Sequence, residues 1–163
     1  MPRKPKVQNK NSIKKSDSKL YSTYQAVGRR KEATARVKLY VLPDGSVTLK
    51  DKILKKGEMI VNLLPVEKYF SGDVCKKIYM QPFNSTDTLG RFAVSAIIKG
   101  GGTAGQLGAF VHGISRALEK VDKEKYRPIL KKMGFLTRDS RVKERRKAGF
   151  AQKARAKKQS PKR

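Results

Sequence analysis

The chain has 163 residues, of which 40 are Lys or Arg and 13 are Asp or Glu, so its formal net charge is +27. A surplus of this size repels itself unless a polyanion neutralises it, and nucleic acid is the densest polyanion in a cell. No apolar run approaches the roughly 18 residues of a membrane span, and the polar segment 1–19 is not expected to be a signal peptide. The single Cys75 excludes a disulfide framework within the chain and a zinc site built from cysteines.

Charge and apolar content divide the chain into three parts. Residues 1–31 carry ten cations and one acid, and residues 127–163 carry fifteen cations and two acids. Aliphatic residues are sparse in both segments, so neither buries enough apolar surface to fold alone. We predict a disordered basic N-terminal extension at 1–24, a globular domain at 25–136 and an extended basic tail at 137–163.

The first predicted element of the globular domain is a strand. Apolar and polar residues alternate over 32–41, which is the period of a half-buried strand. A Pro-Asp-Gly turn signal follows at 43–45, and the alternation resumes at Val47 and Leu49, so a hairpin is predicted. A short strand at 59–61 follows.

Two short elements are predicted next. A helix at 66–70 begins behind Pro65, whose ring suits the start of a helix. The segment 74–79 fits either a short helix or a strand.

The clearest pattern is a strand, a glycine-rich turn and a helix. Residues 91–99 are apolar on both faces, which predicts a strand covered on both sides or nearly so. The turn GGGTAGQ occupies 100–106, and apolar residues then recur at spacings of three and four over 107–121, which predicts an amphipathic helix. Pro128 is predicted to open a second helix that Gly134 ends.

The glycine-rich turn is the first candidate binding site. Backbone N–H groups between a strand and a helix start meet anions readily, but the Gly-Lys-Ser/Thr ending of a nucleotide-binding P-loop is absent. Two interpretations stay open at equal weight, a contact with a nucleic-acid phosphate and a tight connection that needs positive backbone dihedrals. The residues assigned to the phosphate contact are Gly101, Gly102, Thr103 and Gln106.

Two groups of cations are further candidates for phosphate contacts. The motif Gly28-Arg29-Arg30-Lys31 is predicted to lie just before the first strand, where glycine would let the backbone approach a phosphate closely. The tail spaces its cations along a chain with little else, which suits a segment that folds on RNA. The residues assigned to RNA are Arg29, Arg30, Lys31, Arg36, Arg138, Arg141, Arg145, Arg146 and Lys147. A solvated loop and a non-specific basic tail are the alternatives.

An enzymatic function is not expected. Cys75 and His112 are each the only residue of their kind, whereas a nucleophile needs a positioned base and usually an orienting group. His112 lies beside the apolar stripe of the predicted helix, so a half-buried structural role is favoured. The acids of the central region are scattered, so we expect no metal, no cofactor and no small-molecule substrate.

Three stretches of the sequence carry a family resemblance. They are GRRKEA with ARV at 28–37, GGGTAGQ through GISRAL at 100–118, and LTRDSR, ERRK and the final KR at 136–163. In order and spacing they are similar to the signatures of the family of protein nine of the small ribosomal subunit, in its bacterial or organellar form. The resemblance covers nearly the whole chain from about residue 25.

The resemblance implies both a fold and a function. The fold would be α+β, a mainly antiparallel sheet with helices on one side, like one domain of small-subunit ribosomal protein five. The protein would be a structural constituent of the head of the small subunit, binding ribosomal RNA beside neighbouring head proteins, with no membrane partner. Its tail would reach the transfer RNA in the peptidyl site through Lys162 and Arg163, although Pro161 departs from the family's usual Ser. A cytoplasmic ribosome is expected, with an organellar matrix or stroma as the alternative.

Two other functions remain as alternatives. A free nucleic-acid chaperone or DNA-compacting protein would use the same basic ends without a ribosome. A phosphate-substrate enzyme at the glycine-rich turn would bind a small nucleotide even without the tail.

Overall fold

The structure, a computed structural model, describes residues 21–42, 46–49, 52–150 and 153–155. The chain there forms an α+β domain with a mainly antiparallel sheet, which confirms the predicted fold class. Most of the predicted N-terminal extension, the turn signal at 43–45, and Lys162 and Arg163 lie outside the described residues. In chain order the elements are β1 (Ser22–Arg30), β2 (Ala33–Val41), β3 (Ser46–Leu49), β4 (Lys52–Lys55), β5 (Met59–Val61), β6 (Leu64–Pro65), α1 (Val66–Tyr69), α2 (Asp73–Ser85), β7 (Phe92–Lys99), α3 (Thr103–Val121) and α4 (Lys123–Lys132).

Five strands form the main sheet in the order β1-β2-β7-β5-β6. β1 pairs with β2, β2 with β7 and β5 with β6 in antiparallel fashion, whereas β5 runs parallel to β7. Because β1 and β7 occupy both edges of β2, no edge is left for β3. The predicted hairpin between 32–41 and the segment at Val47 is therefore wrong, and β3 pairs with β4 in a separate two-stranded sheet.

The main core lies between the sheet and the helices. Its strand side consists of alternate residues of β2, Ala33, Ala35, Val37 and Leu39, which are almost fully buried. Its helix side includes the predicted apolar stripe of α3 together with residues of α2 and α4, Phe110, Ile114, Leu118, Tyr79 and Leu130. Each large side chain buried in this way stabilises the fold by about 1.5–3 kcal/mol.

The opposite face of the sheet is covered over only part of its area. The β3–β4 pair packs Val47 and Leu54 against Tyr40 and Ala93 in a second, smaller core. β7 is accordingly buried on both faces near its start, but Ile97 near its end is 54% exposed. The prediction of a strand covered on both sides is correct for the first half of β7 only.

Several element boundaries differ from the sequence expectations. α4 begins at Lys123, because Asp122 caps it by accepting a hydrogen bond from the Lys125 N–H at 3.0 Å, and Pro128 lies inside the helix. Gly134, with φ of +75°, follows the end of α4 as predicted. The segment 74–79 is helical and belongs to the 13-residue α2, and the short strand at 59–61 is confirmed.

Candidate nucleic-acid interface

The motif Gly28-Arg29-Arg30-Lys31 ends a strand that the sequence analysis missed. Gly28 and both arginines belong to β1, and Lys31, with φ of +50°, forms the turn into β2. The prediction that the motif precedes the first strand is therefore wrong. β1 was overlooked because the residues on its buried face are as small as Ala26 and Gly28, which gives little apolar contrast.

Gly28 faces α3 rather than an open surface. A Cβ on Gly28 would clash with the Ala109 carbonyl oxygen and stand 2.8 Å from the Cα of Gly113. Gly113 is equally constrained, since a Cβ there would lie 2.6 Å from Cγ2 of Val37. These glycines let α3 lie directly on the sheet, so the interpretation that Gly28 opens the backbone to a phosphate is wrong.

The glycine-rich turn makes a tight connection from β7 to α3. Gly100 and Gly101 have φ values of +77° and +62°, which side chains with a Cβ rarely adopt. A Cβ on Gly100 would also stand 2.7 Å from the Glu32 carbonyl oxygen, so the turn packs against the β1–β2 turn. Gly102 has open space around it, and exposed Thr103 begins α3, so the first N–H groups of this helix lie at the surface.

The side chain of Gln106 forms hydrogen bonds within the domain. Its Oε1 accepts a hydrogen bond from the Tyr69 hydroxyl at 2.9 Å, and its Nε2 donates to the Gly100 carbonyl at 3.2 Å. Asn62 donates in turn to the Tyr69 oxygen at 3.2 Å. The side-chain amide of Gln106 is thus engaged in holding the glycine-rich turn to α1.

Arg30 fixes the start of the tail to the domain. Its side chain runs across Gly108 of α3, where a Cβ would stand 2.7 Å from Nη1. Its Nη2 lies 3.1 Å from Oδ2 of Asp139. Asp139 also accepts hydrogen bonds from the backbone N–H and the guanidinium of Arg141, and these contacts hold the pKa of its carboxyl well below its usual range.

The structure therefore brings most of the predicted RNA-binding residues to one end of the sheet. This basic end consists of the β1–β2 turn, the glycine-rich turn and the start of the tail, with Arg29, Arg30, Lys31, Lys99, Gly101, Gly102, Thr103, Arg138 and Arg141. Arg36 lies apart, exposed on the face of the sheet away from α3. Arg145, Arg146 and Lys147 are exposed in the tail, outside any helix or strand.

The half-buried structural role predicted for His112 is confirmed, but sequence reasoning missed the contacts with β1 that His112 shares with Arg116 and Lys120 of α3. His112 accepts a hydrogen bond at Nδ1 from the Arg29 N–H at 3.2 Å, and the Arg116 guanidinium donates to the Val27 carbonyl. Lys120 donates through Nζ to the Gln25 carbonyl at 2.7 Å. Burial lowers the pKa of His112, and the nearby cations Arg116 and Arg138 act in the same direction. The available signal for these contacts was that His112, Arg116 and Lys120 recur every four residues beside the apolar stripe of α3.

Two other kinds of site receive no support from the described residues. Within the described ranges, no group of three or more His, Cys, Asp or Glu is placed to hold a metal ion. No helix in the same part of the chain is long and apolar enough to cross a membrane.

The α+β fold, the clustered cations at one end of the sheet and the basic tail define a nucleic-acid-binding protein. A family model described as Ribosomal protein S9/S16 matches residues 28–163. The chain belongs to this family, which confirms the resemblance, and it is therefore a ribosomal protein of the small subunit that binds ribosomal RNA. The match begins at Gly28 and includes all three stretches that carried the resemblance.

Proposed function

We propose that the protein is a structural constituent of the head of the small subunit and that its basic end contacts the ribosomal RNA backbone. The observation that carries this proposal is the convergence of the two turns and the tail start, joined by the contact between Arg30 and Asp139. Several cations at fixed separations recognise the arrangement of phosphates rather than base sequence. Catalysis forms no part of the proposal.

The elements of the basic end have different roles in this proposal. Arg29 and Lys31 are exposed and supply positive charge at the surface, whereas Arg30 is held between α3 and the tail. Gly102 and Thr103 offer the N–H groups at the start of α3, where the helix dipole favours an anion. Gln106 acts indirectly, because its amide holds the glycine-rich turn in place.

The tail extends the RNA contact beyond the domain. Arg138 and Arg141 belong to the basic end, and Arg145, Arg146 and Lys147 continue the row of exposed cations. We assign these five residues to ribosomal RNA. The division into an N-terminal extension, a domain and a tail at 137–163 is part of the same proposal, but the predicted boundary between residues 24 and 25 moves to the start of β1, because residues 22–24 pair with β2.

The salt dependence of RNA binding tests the role of the basic end. Each phosphate contact that is lost should reduce the slope of log affinity against log salt by about 0.7–0.9. We expect Arg29→Ala with Lys31→Ala to weaken binding to the head domain of the ribosomal RNA and to flatten this slope. Lys131→Ala with Lys132→Ala, in the last turn of α4, removes the same charge elsewhere and is the matched control. Equal slopes for both double variants would refute the assignment.

We also propose that Lys162 and Arg163 contact the backbone of transfer RNA in the peptidyl site. Support comes from the family resemblance and from chain length, because an extended chain reaches about 3.3 Å per residue. Once the backbone hydrogen bond between Lys147 and Lys153 and the pair of Glu144 with Arg155 open, residues 140–163 would span up to roughly 80 Å beyond the anchored Asp139. The fork of an arginine suits a phosphate grip that ignores base identity.

Removal of the last two residues tests the transfer-RNA contact. We expect the truncated protein to assemble into small subunits normally and to weaken retention of transfer RNA in the peptidyl site. Lys157→Ala with Lys158→Ala removes the same charge from the tail without shortening it. Equal retention of transfer RNA by particles with the intact and the truncated protein would refute the proposal.

A cytoplasmic ribosome is the proposed location. Sedimentation of a lysate at moderately high salt should place the chain in the small-subunit fraction at one copy per particle. Release into light fractions, or an even distribution over DNA and RNA, would favour a free nucleic-acid chaperone instead.

A further inference from the structure

The face of the sheet opposite α3 contains a groove that the RNA proposal does not use. The strand registers place two rows of side chains across its floor, Val27–Arg36–Ile97 and Gln25–Lys38–Ser95. The groove has a volume of about 910 Å³. It is open where the β3–β4 pair no longer covers the sheet.

Leu63 forms one wall of this groove in an unfavourable backbone conformation. Asn62 and Leu63 connect β5 to β6 with φ values of +47° and +66°. Glycine is the usual residue at the second position of such a two-residue turn, because a Cβ raises the energy of this conformation. Leu63 is nevertheless 53% exposed, at a place where glycine would fit the backbone better.

Asn62 holds this turn rigidly against the sheet. Its Oδ1 accepts a hydrogen bond from the Ile98 N–H at 2.9 Å, and its Nδ2 donates to the Ile98 carbonyl at 3.0 Å. The side chain thus continues the pairing between β5 and β7 by one residue. Leu63 is held in a fixed position, and like Ile97 on the neighbouring strand it lines the groove.

The positive charge of the groove favours an anionic binding partner. Its lining includes Arg36, Lys38, Arg116 and Lys120, and it includes no acid. Arg116 and Lys120 already donate to carbonyls of β1. Arg36 and Lys38 are exposed and form no ion pair within the part of the chain that the structure describes.

The exposed apolar groups favour protein over RNA as that occupant. Unpaired RNA bases bind by stacking on aromatic rings, but the aromatic residue that lines the groove, Tyr40, is only 3% exposed. Aliphatic side chains at the centre with arginine beside them are typical of protein–protein interfaces. Addition of a strand at the edge of β1 is blocked by the contacts from α3, so the occupant must lie across the face.

We propose that this groove binds an extended segment of a neighbouring protein in the small subunit, with aliphatic residues against Leu63 and Ile97 and carboxylates against Arg36 and Lys38. The inference rests on the proposed placement of the protein in the small subunit. It assigns Arg36 to a protein partner rather than to ribosomal RNA.

Photocrosslinking within assembled small subunits tests this proposal. A benzophenone amino acid at position 97, and separately at position 63, should give an adduct with a segment of another protein that contains both aliphatic and acidic residues. Val74 of α2, which is 71% exposed, is the control position and should give no such adduct. Mass spectrometry of the digested adduct identifies the segment.

Charge reversal separates specific docking from chance capture. Arg36→Glu with Lys38→Glu should lower the crosslink yield at position 97 at least about tenfold while the protein still enters the particle. Lys68→Glu with Lys77→Glu makes the same change at exposed residues of α1 and α2 and should leave the yield unchanged.

Each other outcome overturns the inference in a distinguishable way. A nucleotide adduct at position 97 would assign the groove to RNA and leave the proposed function intact. Three further outcomes would refute protein docking and leave the proposed function intact. They are an adduct within the same chain, no adduct in particles that contain the protein, and a crosslink yield that charge reversal does not change. Absence of the unsubstituted chain from the small subunit would refute the proposed function together with this inference.

Discussion

The backbone N–H of Arg29 donates a hydrogen bond to Nδ1 of His112, 3.2 Å away, and this is the first of three hydrogen bonds that join side chains of α3 to the backbone of β1. Arg116 and Lys120 make the next two, to the carbonyls of Val27 and Gln25. Four residues of a helix rise about 6 Å and two residues of a strand about 6.6 Å, so the contacts stay in step along both elements. Side chains of α3 thereby cover the edge of the sheet that β1 forms.

Loss of the two cationic edge contacts should weaken the fold and expose β1. Arg116→Ala with Lys120→Ala removes the side-chain donors to the backbone carbonyls of Val27 and Gln25, which then bond only to water. We expect the free energy of unfolding to fall by about 1–2 kcal/mol. An open edge also pairs with other chains, so association should increase with concentration. Urea denaturation and sedimentation velocity measure the two effects.

The control for the edge variant is Lys131→Ala with Lys132→Ala, which removes the same charge from the exposed end of α4. A variant that is as stable and as monomeric as this control would show that the contacts to β1 have no structural role.

His112 should make the stability of the protein depend on pH. Burial lowers its pKa below the usual 6.5 in the folded state, so folding favours the neutral ring that accepts from Arg29. The stabilisation is complete above the pKa of the unfolded chain and declines as the pH falls from there toward the lowered folded value. Urea denaturation at a series of pH values from about 7.5 downward, through the usual pKa of histidine, follows this decline.

His112→Asn keeps a neutral acceptor near the position of Nδ1 and has no titration in this range. We expect the variant to lack the decline in stability toward acid that is predicted for the natural protein. His112→Gln is a second variant in case the shorter side chain fails to reach Arg29. An unchanged pH slope in both would mean that another group causes the decline.

Gly28 should tolerate no side chain. A methyl group there clashes with the carbonyl of Ala109, which is backbone and cannot move without displacing α3. We expect Gly28→Ala to lower the free energy of unfolding by about 3 kcal/mol, at the upper end of overpacking effects. Gly102→Ala is the control, because Gly102 has negative φ and open space around it. Similar unfolding midpoints for the two variants would contradict the close packing.

Regular patterns of apolar residues were enough to predict the strongest elements. β2 alternates cleanly, and α3 carries an apolar stripe over about four turns at 3.6 residues per turn, so both emerge from the sequence alone. Strand pairing is different, because it depends on which edges other strands already occupy. The partner of β3 therefore could not be predicted from its own residues.

The candidate site, like the fold, could be predicted from the sequence only in part. Its cations are visible in the sequence, but their grouping depends on contacts between distant segments, such as Arg30 with Asp139. The internal engagement of Gln106 and the burial of Gly28 against α3 also required the packed structure. A glycine next to cations indicates a close approach without indicating whether a phosphate or a helix makes it.

The contact between Arg30 and Asp139 should control how firmly the tail start is held to the domain. Asp139→Asn removes the charge that both Arg30 and Arg141 contact, while the core is untouched. Exposed ion pairs contribute at most about 1 kcal/mol, so global stability should change little and tryptic cleavage after Arg138 and Arg141 should accelerate up to about fivefold. Glu144→Gln breaks the separate pair with Arg155 and should leave those two rates unchanged. Equal cleavage rates in the natural protein and the Asp139 variant would show that the pair does not anchor the tail.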